Sequence, residues 1–432
     1  MKTLYLYILS SLLFLGTLSP AEISKVDLPV GEAWRETYQS SPAATAITTD
    51  AEFQEFAERQ KIPANIAEMV RPKHVRGTVR YCLVVSAGGS QLRLRISNEV
   101  GQSPLFLTAV SVGLAHSDFD AVPGSITGVT FSGSKSVAIP TGAPMLSDPV
   151  SLRVSPGAAV LVSVHGPEEF ILTANGGAAL AVAPGDQTMA EQLSGSKPLI
   201  GRPMLAGISV LTSAATKVVV AMGDSITDGN RSELGSLHSW PEQLAHRLAD
   251  KAKGGRIQYA VANAGIGGNR LLQPGPVTDM GISALARLDR DVLRIEGLSH
   301  IVLLEGTNDI GMSGHTLFGD SPPIAADDLV IGYRQIIARA HARQVKVIIA
   351  TILPFGGSRS HSSPDKENLR QQINNWIRTS GEPDGVVDFD AVMRDPVDQS
   401  RMQVQFDSGD HLHPNEAGSR AMGDAIDLSL FR

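Results

Sequence analysis

The stretch that decides the reading is Lys217-Val218-Val219-Val220-Ala221-Met222-Gly223-Asp224-Ser225-Ile226-Thr227-Asp228-Gly229. After Lys217 comes an apolar, β-branched run, the pattern of a strand covered on both faces. It breaks at Gly223-Asp224-Ser225. A serine at a strand-to-helix turn exposes its hydroxyl, and the backbone N–H groups beside it are free to bind an anion. Far downstream, Asp410-His411-Leu412-His413-Pro414 places a carboxylate and an imidazole three residues apart. A free hydroxyl is a poor nucleophile at neutral pH and needs a base. His413 is the candidate base, and Asp410 the group that would hold its tautomer. Together they point to acyl transfer on a serine. Thr227 stands where a Gly-x-Ser-x-Gly elbow needs its second glycine, which argues against a lipase-type α/β-hydrolase.

Around this stretch, strand-like and helical runs alternate. Strands are expected at Lys217–Met222, Ile257–Ala262, His300–Leu304, Val345–Ile349 and Val386–Phe389. Helices are expected at Trp240–Ala252, Ile282–Arg294, Asp327–Arg343, Asp365–Thr379 and Asn415–Leu428, with Pro364 and Pro414 at two helix mouths. Alternation of this kind gives a parallel sheet with helices on both faces, and its site lies beyond the carboxyl ends of the strands. Ser225, Gly268 and Asn308 each fall just past a different expected strand. Asn263-Ala264-Gly265-Ile266-Gly267-Gly268 lets backbone N–H groups approach a ligand closely, and Gly306-Thr307-Asn308-Asp309 offers a side-chain amide. With the Ser225 N–H, these are candidate oxyanion donors.

Upstream the period changes. From Glu22 to Thr212 short alternating runs predominate, at Thr78–Val85, Gln91–Ile96, Phe106–Val112, Ile126–Phe131, Ser136–Ile139, Val150–Val154, Val160–Val164 and Phe170–Thr173. Gly, Pro, Ser and Asn separate them, which predicts a β-sandwich, with one helix over Asp50–Gln60. The expected divisions are therefore 1–21, 22–212 and 213–432. The first is a signal peptide: Lys2, an apolar stretch from Leu4 to Leu18 and Ser19-Pro20-Ala21, too short for a membrane span. Export to the periplasm or the medium is expected, with no membrane association once the leader is removed.

The 432 residues carry a net charge of −7 and only 5% aromatic side chains. Neither a basic surplus nor a stacking surface marks a nucleic-acid partner. The single cysteine, Cys82, excludes an internal disulfide and reads as a small buried hydrophobe.

Gly223-Asp224-Ser225-Ile226-Thr227, the Asn263–Gly268 glycines, Gly306-x-Asn308-Asp309 and Asp410-x-x-His413-Pro414 resemble, in order, the four sequence blocks of SGNH (GDSL-type) hydrolases. The resemblance covers Lys217 to the C-terminus. It implies a three-layer α/β/α, flavodoxin-like fold and ester hydrolysis without metal or other cofactor. It assigns Ser225 as nucleophile, His413 as base beside Asp410, and Gly268 N–H and Asn308 as oxyanion donors. Gly268-Asn269-Arg270, Ala286–Asp291 and Thr78–Asn98 look like bacterial two-domain acylhydrolases, some associated with xylan breakdown. The expected substrate is thus a small acyl ester, acetyl above all, on a small molecule or polysaccharide. Acyl transfer to a sugar hydroxyl, or a lipid or thioester substrate, is the alternative.

Other residues have plainer readings. Asp224 and Asp228 suit turns or caps. Asp309 orients Asn308 or caps a helix. Arg270 contacts substrate or pairs with Asp289 or Asp291. Asp407, Asp410, His411 and His413 have a spacing seen in metal sites, but no second ligand cluster accompanies them, so His411 is expected at a pocket rim. His238, His246 and His341 read as surface or packing residues, and Trp240 and Trp376 as core.

Overall fold

The computed structural model describes residues 29–43, 49–59, 71, 73–172, 178–202, 204–229, 239–252, 257–316 and 319–432. The leader expected over 1–21 and His238 lie outside the described residues, as does Gln60, the last residue of the helix expected over Asp50–Gln60 and found over Asp50–Arg59.

Five parallel strands form the sheet of the C-terminal half, in the spatial order Tyr259–Gly265, Lys217–Gly223, Leu298–Leu304, Lys346–Ala350, Gly385–Val387. With the chain's first parallel strand second in that order, the arrangement is 2-1-3-4-5, the flavodoxin-like topology. Alternate residues of Lys217–Gly223 serve opposite faces. Val218, Val220 and Met222 pack with Ala284, Leu288, Leu329, Tyr333, Ile336 and Ile373. Val219 and Ala221 pack with Trp240, Leu244, Leu248, Phe389 and Met422 on the other side. Helices therefore cover both faces, which is why every residue of the run had to be apolar.

Among the described residues the N-terminal half holds two large antiparallel sheets and two two-stranded ones, Lys73–Val75 with Phe170–Leu172 and Leu105–Leu107 with Val137–Ile139. One has the order Glu32–Gln39, Leu205–Ser213, Gln91–Ser97, Pro144–Leu146. The other runs Lys197–Gly201, Ala178–Ala183, Thr78–Val84, Ala159–His165, Ala109–Leu114, Thr127–Gly128. Leu92, Leu94, Ile96, Ile208 and Val210 of the first share a core with Val79, Tyr81, Val112, Val162 and Leu180 of the second. Cys82 is only partly buried, and its burial pushes the thiol up to about 11.

Three elements depart from the sequence expectation. Val150–Val154 makes isolated bridges to Leu92 and Gly89 and no strand, because Leu152 N–H bonds Val150 O in a local turn. Ile126–Phe131 contracts to Thr127–Gly128 at an exposed sheet edge. The helix expected over Ile282–Arg294 is an α-turn at Ala284–Leu288 continuing as a π-turn at Asp289–Leu293, with Asp291 aimed at Arg287 and Arg290. A strand at Glu32–Gln39 went unrecognised because Arg35 and Glu36 interrupt its apolar pattern. Both are buried against the C-terminal half: Arg35 donates to Thr216 O and Ala214 O, each at 2.7 Å, and Arg294 donates to both Glu36 oxygens at 3.0 Å.

The two halves also meet at an open sheet edge. Tyr259–Gly265 is an edge strand, and Ser86 Oγ of the N-terminal half accepts from Val261 N (2.9 Å) and donates to Val261 O (2.7 Å).

Gly306 precedes the short helix Thr307–Gly311 with φ +111°, and a Cβ there would lie 2.8 Å from Tyr333 Oη. Gly306→Ala is expected to destabilise the protein by about 1–3 kcal/mol, through backbone strain and overpacking. Urea unfolding should show a lower midpoint with an unchanged slope; an unchanged midpoint would contradict this account.

Candidate active site

Ser225 opens a four-residue helix, Ser225–Asp228, at the carboxyl end of the strand Lys217–Gly223. Asp224 caps it: its Oδ1 accepts the Ile226 N–H at 2.9 Å. The turn is tight because Gly223 has no side chain; a Cβ there would sit 2.2 Å from Thr227 Oγ1 and 2.5 Å from Leu304 O. Trp240 Nε1 and Asn263 Nδ2 hold Thr227 from behind, at 3.3 and 2.7 Å.

The loop before the last long helix brings His413 to the hydroxyl. His413 Nδ1 lies 2.6 Å from Asp410 Oδ2, and Ser225 Oγ lies 2.8 Å from His413 Nε2. A carboxylate only accepts, so Nδ1 carries the proton and Nε2 is left to accept from the serine. Partial burial pushes Asp410 upward, but His413 and the Leu412 and His413 N–H groups outweigh it, holding the carboxyl well below the usual range. Asp407 repeats the device one step earlier, accepting from Gly409 N, His411 N and His411 Nδ1 at 2.8, 3.1 and 2.6 Å. The four residues considered as metal ligands thus form two separate Asp–His pairs. His411 adopts a left-handed φ of 60° and is half exposed beside Gly357.

Gly268 also has positive φ, +74°, and a Cβ there would strike Met280 at 2.5 Å. Among the described residues, neither its N–H nor that of Ser225 bonds a protein acceptor. Asn308 is fully engaged: its Nδ2 donates to Asp224 Oδ2 (3.2 Å) and Asn269 O (3.0 Å). Its Oδ1 accepts from His361 Nε2 at 3.2 Å, while His361 Nδ1 accepts from Ser360 Oγ at 2.7 Å. Sequence reading missed His361. It lies in a loop beyond the fourth parallel strand, the one signal that could have flagged it. Room for its ring exists because Gly311 lacks a Cβ, which would fall 1.7 Å from His361 Cδ2.

Asp309 neither caps nor touches Asn308. Its two oxygens accept Leu271 N and Leu272 N at 2.7 and 3.0 Å, tying down the loop that carries Gly268. Arg270 does not pair with Asp289 or Asp291; it donates to Pro274 O and Ser321 Oγ, while Arg287 and Arg290 take Asp291, and Arg339 takes Asp289. Arg287, wholly buried, bridges the site from below, donating to Gly223 O (3.0 Å), Ala264 O (2.5 Å) and Asn269 Oδ1 (2.8 Å). Three carboxyls share this interior. Burial pushes Asp224 up to about 6 against the pull of Ile226 N–H and His413, and pushes Asp309 up to about 6 against its two loop N–H groups. Glu305, 3.5 Å from Arg287, is driven well above the usual range by burial and by Asp224.

Burial pushes His361 down to about 3, helped by its proximity to His413. The unfolded imidazole, near 6.5, gains a proton that the folded one refuses. Its stabilising contribution is therefore complete above pH 6.5 and is lost as pH falls towards 3. His361→Gln keeps a donor for Asn308 without a titrating ring, so its urea midpoint should drop less between pH 7 and about 5 than wild type does. Equal drops would refute this.

Residues 221–421 match the family model described as the GDSL-like lipase/acylhydrolase family. Nothing among curated proteins matches the chain. Similar solved structures include an acetyl xylan esterase at 22% identity, covering 48% of this chain and 96% of its own, with a TM-score of 0.36. A GDSL-like lipase from Bacteroides thetaiotaomicron has 19% identity, 50% and 88% coverage, and a TM-score of 0.36. The aryl esterase of M. smegmatis has 17%, 48%, 95% and 0.36 for the same quantities. Likeness at that level carries no argument. The matched segment and the four ordered blocks within it agree: residues 221–421 form a GDSL-like lipase/acylhydrolase domain, that of a carboxylic ester hydrolase.

Proposed function

We propose that the protein is an exported serine esterase that removes small acyl groups, acetyl above all, from carbohydrate. The observation that carries this reading is the continuous chain Ser225 Oγ–His413 Nε2, His413 Nδ1–Asp410 Oδ2, at 2.8 and 2.6 Å. Ser225 Oγ attacks the ester carbonyl as its proton passes to His413 Nε2. Negative charge forms on the carbonyl oxygen, facing the unengaged N–H groups of Ser225 and Gly268. Asn308 adds a third donor by sharing an amide proton, the 3.2 Å bond to Asp224 being the longer of its two. The intermediate collapses, His413 protonates the departing alcohol, and an acyl-serine remains. Water then attacks with His413 again as base. Asp410, kept ionised, stabilises the imidazolium in both steps. The carbohydrate assignment draws on the resemblance to two-domain acylhydrolases, and export on the apolar leader at Leu4–Leu18.

Ser225→Ala should lower kcat on 4-nitrophenyl acetate by roughly a thousandfold or more; a wild-type rate would overturn the mechanism. Asn308→Ala should cost about 10²- to 10³-fold in kcat with KM little changed, as for loss of one oxyanion donor. A panel of acetylated xylan and 4-nitrophenyl esters of increasing chain length tests the substrate. Preference for long acyl chains would favour a lipid substrate, and acylated sugar in place of free acid would favour transfer.

A further inference from the structure

We infer that the N-terminal β region is part of the catalytic unit, with Arg202 as a positioning residue for the Ser225 turn. The inference rests on the reading of Ser225 as nucleophile. A helix of four residues cannot hold its own geometry, so the turn takes its position from what it touches. Its last residue, Asp228, is buried, and its Oδ2 accepts from Arg202 Nη2 at 2.7 Å. Arg202 directly follows the strand Lys197–Gly201, more than twenty residues upstream in the antiparallel half, and is itself 4% exposed. Its other terminal nitrogen, Nη1, donates to Ser41 O at 3.1 Å and Ser40 Oγ at 3.4 Å.

The same short segment reaches the oxyanion side. Ser41 Oγ accepts from Arg287 Nη1 at 3.4 Å, and Gln39 Nε2 donates to Asp291 O at 2.7 Å. Arg287 in turn holds Gly223 O, just ahead of the nucleophile turn, and Asn269 beside Gly268. Gln39–Ser41 therefore lies between two guanidinium groups. One fixes the far end of the serine turn, and the other fixes its near end together with the donor loop. Burial pushes the Asp279 carboxyl up to about 7 against the pull of Arg202, and Asp279 adjoins Met280, whose side chain packs on Gly268.

A buried ion pair between two halves of a chain is by itself weak evidence of stabilisation, and a simple interface staple is the competing account. The two differ in what they move. A staple changes the unfolding midpoint; a positioning contact changes turnover and the intrinsic reactivity of the serine.

The test uses the full chain with Arg202→Met, Asp228→Asn, the double variant and Ser225→Ala. Turnover and KM on 4-nitrophenyl acetate, the rate of Ser225 labelling by a fluorophosphonate, and the thermal midpoint are measured for each. Arg202→Met should lower kcat and the labelling rate together, by roughly tenfold to a hundredfold, with KM little changed. Asp228→Asn should act in the same direction, and the double variant should be no slower than the slower single one, since the pair acts as a unit. Wild-type kcat with a lowered midpoint, or losses that multiply in the double variant, overturns the inference. Should Arg202→Met fail to fold, Asp228→Asn, which keeps volume, decides by the same readings. Wild-type turnover in Ser225→Ala would overturn the esterase mechanism and this inference together. An inactive Ser225→Ala beside a fully active Arg202→Met overturns the inference alone.

Discussion

Burial of the Asp224 carboxyl beneath the serine constrains everything around it. One oxygen caps the turn that presents Ser225, and the other receives the amide of Asn308. A single side chain thus sets the distance between the Ser225 turn and the Asn308 amide. The arrangement is costly in solvation, since Asp224, Asp309 and Glu305 are withdrawn from water within one small volume. Arg287 and backbone N–H groups offset part of that cost. Withdrawal from water also strengthens the dipoles directed at the reacting carbonyl, because fewer solvent molecules screen them.

The loop that carries His413 is assembled on a different principle. Asp407 and Asp410 fold their own loop by accepting backbone N–H groups two to four residues ahead, then each anchors an imidazole. Local turn chemistry of aspartate therefore orders the segment without help from the core. The Ser225 turn depends on deep burial and the His413 loop on short-range turns, and the two meet through the 2.8 Å bond between Ser225 and His413.

Much of this was legible in the residues. The uninterrupted apolar run at Val218–Met222 announced a strand covered on both faces, and strand–helix alternation announced the parallel sheet. The positions of Ser225, Gly268 and Asn308 past three strand ends gathered them at one edge. His361, Arg202 and Glu305 were not legible, because each acts through a partner far away in sequence: 53 residues for His361 with Asn308 and 26 for Arg202 with Asp228. The strand Glu32–Gln39 was hidden for the same reason. Its charged residues are buried by the other half of the chain, so a rule that equates charge with solvent reads them as loop. The π-turn at Asp289–Leu293 likewise reflects side-chain pairing that no helical period encodes.

The contact between Ser86 and Val261 has a wider consequence. A parallel sheet of this kind ends in a strand whose outer N–H and C=O groups invite pairing with any stray chain. Here the hydroxyl of Ser86 takes the N–H and C=O of Val261 on that margin. During synthesis the antiparallel half emerges first, so it is already available to shield the sticky margin when the second half begins to fold. Gene order then guards against aggregation: a chain with its halves permuted would expose the bare margin until its protector arrived.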